Sequence, residues 1–172
     1  MAPETKEFWL SGPVDGVPDA LLPFAQALLQ ARQDLESLLA NLPRELLWVR
    51  PGGAASVGFH VLHLAGALDR LYTYARGETL SAAQKEALTL ERGDSSLDGD
   101  LLMERVSQAI GAALQQLRRT DAATLMDDRR VGKAQLPTTV LGLLYHGAEH
   151  CTRHVGQIVT TLKILRGTPA HA

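Results

Sequence analysis

An all-α fold, a four-helix bundle, is what this sequence predicts, on three observations. Leucine and alanine dominate while aromatic residues make up only 5% of the chain. β-Branched residues rarely fall into the alternating runs that a half-buried strand needs. Four stretches of about twenty residues or more carry apolar residues three and four apart, the period of a helix with one buried face. The first runs from Asp19 to Leu42, with Leu21, Ala25, Leu28, Leu35 and Leu39 on its stripe, and Pro43 stops it. A loop holding Trp48, Pro51, Gly52 and Gly53 leads to Ser56, placed as the N-cap of a second helix from Val57 to Arg76 that Gly77 closes. Residues Glu78 to Gly99 are polar, with a short turn of helix at Ser81 to Leu88, and form the longest connection, whose natural use is a crossover between the second and third helices. The third helix is expected from about Asp98 to Arg119, with Leu102, Val106, Ile110, Ala113 and Leu117 on its stripe. Between Asp127 and Pro137 a Gly-Lys turn separates two short extended arms, which reads as a small hairpin or an ordered loop. Pro137 or Thr138 then opens a long fourth helix that runs to about Arg166, before Gly167 and Pro169. Helices of this length joined by one long crossover, without internal repeats, are most economically packed as a bundle.

Composition narrows the function classes. The 172 residues, 45% hydrophobic and 21% charged, suffice for one domain, 1–172, with its own core, and they exclude disordered and collagen-like chains. A single cysteine rules out an internal disulfide and suits a reducing, cytoplasmic compartment. Met1 to Ser11 has neither the basic start nor the apolar run of a secretory signal, and no segment approaches a membrane span, so a cytoplasmic location is expected. Lys plus Arg, 17, nearly balances Asp plus Glu, 19, for a net charge of -2, a poor electrostatic footprint for a phosphate backbone; nucleic acid is not expected as a partner.

Histidine placement is the unusual feature. Of the 6 histidines, all but His171 fall in two segments: His60 and His63 on the second helix, His146, His150 and His154 on the fourth. Residues four apart drift only about 40° around a helix and rise about 6 Å, so the last three form one stripe whose adjacent members can share an ion. The outer two, about 12 Å apart, cannot, because metal to imidazole bonds are about 2.0 to 2.1 Å. His154 lies on the shoulder of the apolar stripe through Leu144, Ala148, Cys151, Val155 and Ile158, and His150 a little further round; this pair faces inward, where a neighbouring helix can add a third ligand. On the second helix the stripe of Val57, Val61, Leu64, Leu68 and Leu71 puts His60 at its near edge and His63 further outward, so periodicity alone favours His60. For His60, His146 and His171 taken singly, an ordinary surface or hydrogen-bonded role is the default.

Three neutral imidazoles leave a fourth coordination position for water or substrate, the mark of a catalytic rather than a closed structural site. Zinc, nickel, iron(II) and cobalt all accept such ligands. Gln157, three residues after His154, is a candidate to steady a ligand from behind. The run His146-Gly147-Ala148-Glu149-His150 matches the H-x-x-E-H inverted protease signature, but no acidic ligand follows Glu149, and the match is read as chance. Neither His-bearing helix carries the Glu-x-x-His of a di-iron bundle. Cys151, on the core stripe, reads as a small buried hydrophobe, and Trp48, Tyr72 and Tyr74 are open between core and pocket lining.

Trp48-x-x-Pro51, Ser56-Val57-Gly58-Phe59-His60-Val61-Leu62-His63-Leu64-Ala65 and His150-x-x-x-His154-x-Gly156-Gln157-Ile158 together resemble the DinB-like (damage-inducible, YfiT-like) family of metal-binding four-helix bundles, over nearly the whole chain. That resemblance implies His63, the histidine before Leu-Ala, as the ligand on the second helix, with His150 and His154. It also implies a divalent metal, zinc or nickel, an up-up-down-down bundle and a homodimer. Characterised relatives include thiol S-transferases and isomerases that use low-molecular-weight thiols, so the functions implied are a metal-dependent thiol S-transferase or hydrolase acting on a small electrophile, or else a non-catalytic metal-binding stress-response protein. A metal with an exchangeable position ionises a bound thiol without a further side-chain base, and no separate catalytic acid or base stands out.

Overall fold

Caps and breakers set the limits of the elements. The computed structural model describes residues 6–91 and 97–167; His171 lies outside them. Helix α1 spans Leu22–Leu39 after a 3-10 turn at Asp19–Leu21, and α2 is the single turn Arg44–Leu47. The first helix stops short of Leu42 because Asn41 takes a left-handed conformation, φ 57°, that reverses the chain before Pro43. Helix α3 spans Val57–Ala75, and the Ser56 hydroxyl accepts from the Phe59 amide as its cap. Helix α4, Ala82–Leu90, is opened by a reciprocal capping box between Ser81 and Gln84. Asp98 caps α5, Gly99–Arg119, by accepting from the Leu101 amide.

A two-stranded antiparallel hairpin, β1 Asp128–Val131 and β2 Leu136–Thr139, follows, with Asp128 opposite Thr139 and Val131 opposite Leu136. This corrects the expected start of the fourth long helix. Pro137 and Thr138 belong to β2, and α6, Val140–Arg166, begins only where the Thr139 hydroxyl accepts from the Gly142 amide. Proline has no N–H to give and is tolerated in such a two-stranded ribbon, so it does not force a helix start. No helix among the described residues is long and apolar enough to cross a membrane.

The four long helices α1, α3, α5 and α6 surround one core: α3 packs on both α5 and α6, and α1 packs on the same two. Leu28, Leu35, Leu64, Leu68, Leu102, Ile110, Leu117, Leu144 and Ile158 are fully buried there, each stabilising the fold by about 1.5 to 3 kcal/mol through removal from water. Cross-helix contacts fix the directions. Tyr72 meets Leu144 while His63 meets His150, so α3 and α6 are antiparallel. Gln116 donates to Tyr72 O at 2.9 Å and Trp48 donates to Leu97 O at 3.1 Å, so α3 and α5 are parallel. Arg118 donates to Asp15 O at 2.9 Å and a Cβ at Gly99 would lie 3.9 Å from Leu39 O, so α1 opposes α5. The order is therefore up-down-down-up and not the expected up-up-down-down. The crossover between α3 and α5 is where it was expected, and it is this crossover that makes those two neighbours parallel. A short loop can join only antiparallel neighbours; here α4 carries the chain back along α3, its Gln84 near Asp69 and Thr73 and its C-terminal Glu91 near His63.

Candidate metal centre

Two helices deliver the imidazoles. His60 and His63 stand near the start of α3, and His150 and His154 stand a turn apart in α6. Because the helices are antiparallel, the pairs come face to face. His63 Nε2 lies 3.1 Å from His150 Nε2, and His150 Nε2 lies 3.1 Å from His154 Nε2. One ligand nitrogen from each of His63, His150 and His154 lies within 4.8 Å of the others. A tetrahedral ion with bonds of about 2.0 to 2.1 Å spaces its ligands about 3.3 Å apart, close to that arrangement.

Proton placement sharpens the fit. Glu91 Oε2 lies 2.9 Å from His63 Nδ1. An ionised carboxylate only accepts, so Nδ1 carries the proton and Nε2 presents a lone pair. His154 Nδ1 pairs with His60 Nδ1 at 3.0 Å, which likewise occupies the far side of that ring. His150 Nδ1 is buried without a hydrogen-bond partner. A proton on His150 Nε2 could satisfy only one of its two neighbours, whereas a shared cation takes all three lone pairs. Burial, reinforced by the neighbouring rings, pushes His150 down to about 4 and His154 down to about 3. These two rings are therefore neutral and able to ligate at pH 7.

The supporting groups differ from the expected one. Gln157 is exposed, because at i+3 from His154 it has turned past the seam with α3. Glu91, 5% exposed, and Arg70, 9% exposed, take the place behind the site. Arg70 NH1 donates to Glu91 Oε1 and NH2 donates to Oε2 at 3.4 Å. Burial pushes the Glu91 carboxyl up, but the bonds from His63 and Arg70 outweigh it and hold the group below its ordinary value. Sequence reading missed both residues: Glu91 arrives from the end of α4, and an isolated Glu in a polar connection carries no periodic signal.

His60 is the more buried of the α3 pair, as periodicity indicated, yet it pairs with His154 from behind and does not join the cluster; His63, at the edge of the seam, does. His146 is exposed, its Nδ1 3.2 Å from Glu149, whose carboxylate Arg153 grips with Nε at 2.9 Å and NH2 at 2.6 Å. Glu149 is thus engaged on the helix surface, away from the three-ring cluster. Cys151 is buried and its thiol is pushed up to about 12 by that burial, which removes it as a nucleophile. Tyr72 is core. Trp48 packs over Gly58, where a Cβ would come within 2.7 Å of its ring. Tyr74 alone of the three aromatic candidates lines a cleft of about 250 Å³, with His63, His150, His146, Leu71 and Leu88. That cleft opens onto two of the three rings.

Comparisons with known proteins bear on the family and the fold. A family model described as the DinB superfamily matches residues 27–158. The fold is similar to the crystal structure of a conserved protein from Enterococcus faecalis, with a TM-score of 0.69 and 18% identity over 85% of this chain and 96% of that one. It is also similar to an uncharacterised protein from Escherichia coli UTI89, with a TM-score of 0.63 and 15% identity over 90% of this chain and 99% of that one. None of the curated proteins matches the chain.

Proposed function

Because the chain belongs to the DinB superfamily, we propose that it is a divalent-metal protein whose zinc or nickel ion is held by Nε2 of His63, His150 and His154, with a fourth position open to the cleft. Its activity is that of a metal-dependent thiol S-transferase or related hydrolase, using a low-molecular-weight thiol and a small electrophile. The observation that carries this reading is the convergence of the three ligand nitrogens within 4.8 Å. A bound divalent ion supplies Lewis acidity, lowering the pKa of a thiol or water so that the thiolate or hydroxide exists at neutral pH. The chain's own residues supply the rest. His150 and His154 remain neutral, His60 and Glu91 occupy the far nitrogens of two rings, and Leu71, Tyr74 and Leu88 give the cleft an apolar side against which a small electrophile can pack. A cytoplasmic homodimer is part of the proposal, testable by sedimentation.

One observation favours a second reading, a non-catalytic metal-binding stress-response protein. Two of the polar side chains on the cleft besides the ligands are already engaged, Arg70 with Glu91 and His146 with Glu149, which leaves the Tyr74 phenol as the polar group there for a substrate to meet. Elemental analysis followed by an assay separates the readings. The transferase retains about one metal per chain, as a single three-His site requires, conjugates small thiols to electrophiles, and loses both properties in His150→Ala and His154→Ala. Stoichiometric metal with no turnover across a broad thiol panel supports the second reading, and metal retained in both variants rejects the site.

A further inference from the structure

We propose that Glu91 is a positioning residue of this centre, delivered by α4, which holds His63 with its proton on Nδ1 and so makes the docking of α4 and the loading of the metal reinforce one another. The inference rests on the three-His reading above. Helix α4 buries none of its own side chains. Its polar attachment to α3 is made at its two ends. Gln84 donates to Asp69 Oδ2 at 2.7 Å and to Thr73 Oγ1 at 2.8 Å, while Glu91, just beyond the last turn, reaches His63 and Arg70. His63, Gly66 and Arg70 follow one another at helical spacing along α3 and present one face to that carboxylate.

Gly66 is the clearance that admits it. A Cβ there would collide with Glu91 Oε1 and lie 2.8 Å from Arg70 NH1. Arg70 provides the countercharge without which a buried carboxylate beside a neutral ring would be costly. The three residues thus form a built socket rather than a surface ion pair. His63 bound through Nε2 becomes a stronger donor at Nδ1, so its bond to Glu91 tightens when the site is filled. By reciprocity, a docked Glu91 raises metal affinity by the same factor that metal favours docking.

The test compares the full chain with Glu91→Ala and Glu91→Gln, the latter keeping size and an acceptor oxygen should the alanine variant fold poorly. Zinc affinity is read by competition with a chromophoric chelator, the His63 tautomer by nitrogen NMR of the metal-free protein, and α4 docking by amide exchange over residues 82–90. Zinc binding about 10- to 100-fold weaker in Glu91→Ala is expected, with a smaller loss in Glu91→Gln. Zinc should slow exchange in α4 of the unaltered chain and leave it unchanged in Glu91→Ala, and the Nδ1–H form of His63 should lose its dominance in that variant. Affinity within about twofold of the unaltered chain in both variants overturns the proposal, as does zinc-independent exchange of α4. Failure of the unaltered chain to bind either zinc or nickel would reject the three-His centre itself; the tautomer, measured without metal, judges Glu91 separately, and an unchanged Nδ1–H signal in Glu91→Ala overturns its positioning role.

Discussion

The seam between α3 and α6 has two halves built on opposite principles. In one, Leu68, Tyr72, Leu144, Gly147 and Ala148 interlock as closely as backbone allows. A Cβ on Gly147 would fall 2.7 Å from the Tyr72 ring, and Leu144 is 0% exposed. In the other, four imidazoles meet nitrogen to nitrogen, with His150 Nδ1 buried and unpaired. The apolar half is complete as it stands, because dispersion and water exclusion require only close packing. The histidine half stores lone pairs that the protein itself does not satisfy, and stability there is exchanged for the capacity to take a cation.

Altering each half should give opposite signatures. Leu144→Ala should destabilise the chain by about 2 to 5 kcal/mol through the cavity it leaves, measured by urea denaturation, while metal content per folded chain stays unchanged. Zinc at about 100 times its Kd should stabilise the unaltered protein by about 2.7 kcal/mol in the same measurement, and chelator or His150→Ala should abolish that increment. Gly147→Ala, although alanine is the better helix former, should cost about 1 to 3 kcal/mol because the added methyl strikes Tyr72 and Leu68. Cys151 should resist alkylation at pH 8 in the folded chain and react once urea unfolds it, read by mass spectrometry; its thiol, pushed up to about 12, is protonated and buried until then. Smallest of all, Gln157→Ala should change stability by no more than about 0.5 kcal/mol and leave zinc affinity intact, since the residue is exposed beyond the seam.

Much of this was legible one segment at a time. Ser56 announced the start of α3 because a cap is chemistry between residues three apart, and the apolar stripe located α5. His150 and His154 share a face for the same local reason. The choice between His60 and His63 was not local. Helix α3 is covered by both α5 and α6, so its buried arc is broad enough to take in His60, whereas a site with an approach from the cleft needs a residue one step further out, where His63 stands. Sequence motif supplied what periodicity did not.

Direction and convergence belonged to the tertiary structure alone. Residue order along the chain determined a set of amphipathic helices, their caps, a hairpin and a histidine stripe, each set by forces acting within a few residues. Whether two stripes meet depends on how helices are rotated and which way they run, and that is settled by the core as a whole together with the crossover that turned α5 parallel to α3. The same crossover brought Glu91 from α4 to the back of His63, a contact between residues 28 apart in sequence that no local rule encodes.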